Sequence, residues 1–270
     1  MLQVSDLHAR WMNKDNGQAY AVGEEKSRFL YDFIAWSQEE LQTPMFRFKE
    51  DVKVLELGCN SGRNLAFFKE RGFYHLYGVD INASAIALKD ELFKDLSCQL
   101  ECKPIEQFVA EEARDGDKYD LVFSVATLGH IHPDCIKDVV SNIVKIIQYP
   151  VGIFACVECN SSSDDYEFAH DYKGLLKNAG LELIAEQKLT KETGFDDRYT
   201  ARIFVKRSVG MDGGQVPDSI PAADKASPRT PVKGGKADVV VHNGQPDAEL
   251  DKAGKAKVKR SGVVEQDPGI

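Results

Sequence analysis

The sequence predicts an α/β fold, a doubly wound and mostly parallel sheet with helices on both faces. Three observations carry that expectation. Short β-rich apolar runs alternate with stretches of helical apolar spacing, the pattern of parallel strands joined by crossover helices. The first run, Val54-Leu55-Glu56-Leu57, enters a glycine turn, Gly58-Cys59-Asn60-Ser61-Gly62, that leads into a helix. The second run, Tyr77-Gly78-Val79-Asp80-Ile81, ends on a carboxylate about 20 residues beyond the glycines, where such folds hold the hydroxyls of a ribose.

The first strand and its loop define the chemistry. Gly58 and Gly62 let backbone approach a ligand, and the following helix directs free N–H groups at it. With Asp80 on the ribose, this is an adenosine-binding half-site. A dinucleotide fingerprint requires G-x-G-x-x-G, whereas this loop reads G-x-x-x-G with no third glycine. No Gly-Lys-Ser/Thr follows, so a P-loop is absent too. Glu56 would repel a pyrophosphate but suits a ligand carrying an ammonium group.

The later elements follow in order. Asn82-Ala83-Ser84 opens a helix that carries Ile86, Ala87, Leu88 and Leu92. Leu100 to Phe108 holds the third strand's end, and Tyr119 to Ala126 is the fourth strand, running into Thr127-Leu128-Gly129-His130-Ile131-His132-Pro133. Residues 134–148 place Ile136, Val139, Val140, Ile143, Ile146 and Ile147 on one helical face. Val151 to Glu158 is the fifth strand, and a helix over Tyr172 to Ala179 stops at Gly180. Two further strands span Leu181 to Leu189 and Tyr199 to Val205.

The combination of Glu56, Gly58, Gly62 and Asp80 resembles the class I S-adenosylmethionine-dependent methyltransferases, whose first motif has the form E-x-G-x-x-x-G. The resemblance extends from about Glu24 to Arg207, and the fourth-strand segment is similar to the "YDLVFS…LEHI" stretch of bacterial small-molecule members. It implies a Rossmann-like, seven-stranded sheet closed by an antiparallel pair, and S-adenosylmethionine as cofactor. Glu56, Gly58, Cys59 (through its backbone), Asn60 and Gly62 would then surround the amino-acid end. Asp80 would take the ribose, Ile81 and Ile105 would sandwich the adenine, and Ser124 and Val125 would line the floor. Two positions depart from the pattern. Pro104 stands where many relatives carry an adenine-binding Asp or Ser, and Gly129 replaces the usual Glu.

Methyl transfer from a sulfonium mainly requires alignment, with a base where the nucleophile arrives protonated. His130 and His132, after the fourth strand, are the candidate bases; the resemblance also leaves them a purely structural role. Tyr20, Glu158 and His170 are the candidate acceptor contacts, each equally explicable as packing, a surface charge or a helix cap. The fourth strand lacks the Asn/Asp-Pro-Pro-Tyr/Phe signature of amide and nucleobase amino-group methyltransferases, which points to a small-molecule O, N or S acceptor. Two rival readings stand beside this one: an inactive methyltransferase-like binding module, and a nicotinamide-dependent oxidoreductase disfavoured by the loop spacing and Glu56.

Residues 1–45 form an expected helical cap, with a helix over 24–42 whose apolar side is Phe29, Leu30, Phe33, Ile34 and Trp36. Residues 46–207 are the cofactor-binding domain. Residues 208–270 lack Phe, Tyr, Trp and Cys, yet hold six of the ten prolines, and read as a disordered tail. The favoured reading of the tail is an unstructured solubilising extension, with Val239-Val240-Val241 and the lysine-rich stretch 252–260 as the alternative, short motifs that contact another protein. Its charges cancel, so the net charge of -9 lies in residues 1–207, a poor platform for nucleic acid. The chain shows no apolar run long enough to span a membrane and no secretory leader, so the cytoplasm is the expected location. Cys156-x-x-Cys159 ends a strand instead of opening a helix, and reads as a structural pair of thiols with no metal.

Overall fold

The computed structural model describes residues 2–14, 24–40, 48–150, 152–162 and 165–206. These belong to one compact unit, Met1–Gly213. The expected tail, 208–270, and the candidate contact Tyr20 lie outside the described residues.

The described residues form seven strands: β1 (Lys53–Leu57), β2 (His75–Asp80), β3 (Gln99–Cys102), β4 (Leu121–Val125), β5 (Ile153–Cys159), β6 (Leu181–Lys188) and β7 (Tyr199–Lys206). They form one sheet in the order β3-β2-β1-β4-β5-β7-β6. The first five run parallel, and β7 is antiparallel to both its neighbours. β5, Ile-Phe-Ala-Cys-Val-Glu-Cys, is buried along its whole length, as a central strand covered on both faces must be. The chain leaves β1 toward β2 and β3, then returns to pair β4 on the other side of β1. That reversal opens a crevice at the carboxyl ends of β1 and β4, where doubly wound sheets bind ligands.

The helices are α1 (Val4–Met12), α2 (Glu25–Glu40), α3 (Arg63–Lys69), α4 (Ala83–Ala87), α5 (Lys89–Leu92), α6 (Ile105–Asp115), α7 (Ile136–Ile146) and α8 (Tyr172–Asn178). Strand alternation sorts the core into two layers. Leu55, Val122 and Phe154 pack with Val109 of α6, Ile143 of α7 and Leu176 of α8. Val54, Phe123 and Ala155 pack on the other face with Leu30 and Ile34 of α2 and Phe68 of α3.

Some elements differ from expectation. Trp36 is 48% exposed and stacks on Phe33 with ring centroids 6.1 Å apart. It falls two positions past Ile34, about 200° around the helix, and so turns off the buried face. The helix expected from Asn82 to Leu92 is broken at Leu88 into α4 and α5. Two helices were not foreseen. One is α1, a nine-residue helix inside the expected helical cap that sets Val4, Leu7 and Trp11 on one side, and the other is α6, bounded by Pro104 and by Gly116 at φ 86°.

Candidate functional site

The loop after β1 is stitched to the end of β2. The N–H groups of Gly58 and Cys59 donate to the Val79 carbonyl at 2.8 and 3.0 Å. Asn60 takes a left-handed conformation, φ 50°, stabilised by its own Oδ1 accepting from the Ser61 N–H at 2.9 Å. Gly62, φ 90°, caps α3. Asp80 closes the loop: its Oδ2 accepts from the Asn60 N–H and its Oδ1 from the Asn82 N–H, both at 2.8 Å. Burial raises its carboxyl above the usual range, and its bonds to the N–H groups of Asn82, Asn60 and Ile81 pull it back. Each carboxylate oxygen retains acceptor capacity for a ligand hydroxyl.

Glu56, 2% exposed, ends a relay of hydrogen bonds. The Ser27 hydroxyl donates to Asn64 Oδ1, and Asn64 Nδ2 donates to Glu56 Oε1, each at 2.6 Å. Glu56 Oε2 has no hydrogen-bond partner among the described residues. Burial pushes this carboxyl from 4.5 to about 8, against the pull of Asn64 and Arg63. Lys26 and Arg63 line the same cleft, and burial and then the Arg63 charge lower the Lys26 ammonium. A buried carboxylate with one bare oxygen, beside two cations, matches a zwitterionic ligand end.

The structure brings Glu56, Gly58, Cys59, Asn60 and Asp80 together in one cleft, with Ile81, Ile105 and Val125 also on its wall. Gly62 lies one step back, at the start of α3. Leu7, His8 and Trp11 of α1 line one side, and Phe195 and Tyr199 line another. The sequence reading did not single out Lys26, Arg63, Asn64 or Asn82 as site residues. Only the position of Arg63 and Asn64 next to the glycine turn signalled them.

Several expected site residues lie elsewhere. Ser124 is fully buried, and its hydroxyl donates to Glu158 Oε1 at 2.8 Å. Glu158, also fully buried, does not line the cleft. Its carboxylate accepts from the N–H groups of Thr127, Leu128 and Gly129 at 3.1–3.3 Å and thereby holds the loop after β4 from below. Burial pushes Glu158 up to about 7 despite these bonds. His132 has both ring nitrogens on backbone: Nδ1 accepts from the Asp134 N–H, and Nε2 donates to the Leu2 carbonyl, each at 3.2 Å. His170 donates from Nε2 to the Ile131 carbonyl at 3.0 Å, and burial lowers its pKa. Neither of these two lines the cleft. His130 does, with its Nδ1 2.9 Å from the Tyr166 carbonyl and its ring 4.3 Å from the Trp11 ring.

All six cysteines are free. Among the described residues, no cluster of His, Cys, Asp and Glu could hold a metal ion, and no helix is long and apolar enough to cross a membrane.

Comparison with known proteins identifies the fold and the family. The methyltransferase domain family matches residues 27–191. A magnesium protoporphyrin IX methyltransferase from Synechocystis PCC 6803, solved with bound SAM, superposes with a TM-score of 0.51 at 13% identity, over 74% of this chain and 89% of that one. An S-adenosylmethionine-dependent methyltransferase from Clostridium acetobutylicum ATCC 824 gives 0.52 at 12% identity, over 72% and 96%. No curated protein matches the sequence. At such identities the structural likeness is one of fold. The family match itself runs over more than half of the residues, from inside α2 to the β6–β7 connection, and by it the chain belongs to the class I S-adenosylmethionine-dependent methyltransferases.

Proposed function

We propose that this protein transfers the methyl group of S-adenosylmethionine to a small-molecule acceptor by in-line displacement. The observation that carries the reading is the buried Glu56 carboxylate, which lines the cleft and whose Oε2 lacks a partner among the described residues. The cofactor's ammonium would satisfy that oxygen, and Lys26 with Arg63 would hold its carboxylate. Asp80 takes the ribose hydroxyls. Ile81 and Ile105 flank the adenine, Val125 lines the floor, and the backbone of Gly58, Cys59 and Asn60 follows the amino-acid end.

The bound cofactor supplies a methyl group on an already activated leaving group, so the protein's part is alignment and, where needed, removal of the acceptor's proton. His130 is the residue assigned to that proton. A carbonyl only accepts, so the bond to Tyr166 puts the neutral ring's proton on Nδ1 and makes Nε2 the basic nitrogen. Trp11, Ile131, Phe195 and Tyr199 give the cleft apolar and aromatic walls, which suit a small organic acceptor better than a phosphate backbone.

Calorimetric titration with S-adenosylhomocysteine, S-adenosylmethionine and NAD tests the reading. Micromolar binding of the two adenosyl ligands is expected, weakened at least tenfold in Asp80→Ala, since a hydrogen bond to a charged group is worth roughly 1.5–3 kcal/mol. Undiminished binding in that variant, or a preference for NAD, would overturn the assignment.

A further inference from the structure

Every polar group of Asn82 is in use. Its N–H donates to Asp80 Oδ1 at 2.8 Å, and its side-chain Oδ1 accepts from the Ala85 N–H at 3.0 Å, capping α4. Its Nδ2 donates to the carbonyls of Trp11 at 3.1 Å and Lys14 at 2.7 Å, at the end of α1. The residue is 4% exposed. One side chain therefore joins the carboxylate at the tip of β2 to a helix remote in sequence.

That helix depends on its anchors. A nine-residue helix is marginal alone in water, where isolated helices need roughly 12–15 residues. Besides Asn82, α1 is held at its start by His132 on the Leu2 carbonyl, and along its length by the buried Leu7, by His8 on Glu106 Oε1 at 3.3 Å and by Trp11 against His130. Among the described residues, only the Asn82 anchor shares a residue with the Asp80 carboxylate.

We propose that Asn82 is a positioning residue that couples ligand binding at Asp80 to the docking of α1, so that a bound cofactor fixes the wall, with Trp11 on His130, that the acceptor meets. The proposal rests on the cofactor reading above. A ligand hydroxyl on Asp80 pins the carboxylate that orients the Asn82 backbone, and the Asn82 amide then presents both hydrogens to the α1 carbonyls. Linkage makes the coupling reciprocal: the factor by which the ligand steadies α1 is the factor by which a docked α1 tightens the ligand.

Asn82→Ser isolates the coupling. Serine caps helices well and leaves the backbone N–H in place, but cannot reach the two α1 carbonyls. Asn82→Asp retains the cap and sets a carboxylate against those carbonyls. Hydrogen exchange of the peptide covering residues 2–14 would be followed by mass spectrometry in the full chain, with and without S-adenosylhomocysteine, beside calorimetry of the same ligand. In the wild type the ligand should slow α1 exchange about tenfold. In both variants α1 should exchange faster without ligand, ligand should protect it little, and affinity should fall by a similar factor, while α7 exchanges as in the wild type. Wild-type behaviour of α1 in Asn82→Ser would overturn the proposal, as would loss of protection throughout the protein. Binding to the wild type without protection of α1 would refute the coupling and leave the cofactor reading intact. Absence of binding to the wild type would refute both, and the ligand-free exchange rates would then decide only whether Asn82 anchors α1.

Discussion

Thr127 stands so close to Gly58 that a β-carbon on the glycine would lie 2.3 Å from the Thr127 Cγ2. The loops after β1 and β4 thus touch at the floor of the cleft, and Gly58 is further required by its φ of 76°. Gly58→Ala should destabilise the protein by about 2 kcal/mol or more, through overpacking and left-handed strain together. Adding Thr127→Gly should recover the overpacking part and leave about 1–2 kcal/mol of strain. Urea unfolding of the two single variants and the double variant measures that non-additivity.

Glu56 makes ligand binding a proton-linked event. Its carboxyl is raised to about 8, so at pH 7 the ligand-free protein holds it mostly protonated, and an ammonium favours the ionised form. Binding of S-adenosylhomocysteine at pH 7 should release a proton, and affinity should rise toward pH 8. Calorimetry in two buffers of different ionisation enthalpy detects the release, and Glu56→Gln should abolish both effects.

Stability should show the opposite trend. Folded-state values of about 8 for Glu56 and about 7 for Glu158 lie above the ordinary 4.5. The folded protein then holds protons that the unfolded chain has released, so stability falls as pH rises through that window. Thermal unfolding of the ligand-free protein should give a Tm that declines from about pH 5 to about pH 8. Glu56→Gln should flatten the upper part of the decline.

Removing the Glu158 carboxylate should be costly although it lies outside the cleft lining. Glu158→Ala leaves the N–H groups of Thr127, Leu128 and Gly129 and the Ser124 hydroxyl without their acceptor. At about 1–3 kcal/mol for each buried group left unsatisfied, the loss should be about 3 kcal/mol or more. Glu158→Gln, which keeps one accepting oxygen, should lose less. Denaturant midpoints at constant slope check both.

Thiol reactivity should divide the cysteines by depth. Cys59, Cys156 and Cys159 are buried, with burial raising each thiol, whereas Cys102 is exposed. Ellman's reagent should label Cys102 rapidly in the native protein and the three buried thiols only on unfolding. Rapid modification of Cys156 and Cys159 together would contradict a structural role for that pair.

The sheet was legible because its signals are local: β-branched runs, glycine turns and one carboxylate at a fixed distance. The spacing of Glu56, Gly58 and Asp80 on successive strands, with their chemistry and the family resemblance, pointed to one edge of the sheet, and the three line one cleft. Glu158 could not. A carboxylate at a strand end reads as solvent-facing until the neighbouring loop is known to offer it three N–H groups. Asn82 was legible as a helix start, but its bonds to residues 11 and 14 join segments far apart in sequence and leave no periodic trace. The α6 helix did carry a signal, Pro104 ahead and Gly116 behind, which the third strand's end obscured.

The Ser27–Asn64–Glu56 relay has a polarity. Every hydrogen in it points inward, from α2 through α3 to the carboxyl on β1, so its aligned dipoles present their positive ends to the Glu56 oxygen and favour its ionised form when a ligand cation binds. Asparagine works at the centre because it both accepts and donates. Aspartate there would turn two acceptors on each other and break the sequence of donors. The neighbour of Ser27 is Lys26, itself on the cleft wall. Helix α2 is thus tied to the sheet through two hydrogen bonds, and a protein shortened to begin after α2 would lose the outer end of the relay that orients Asn64 on Glu56.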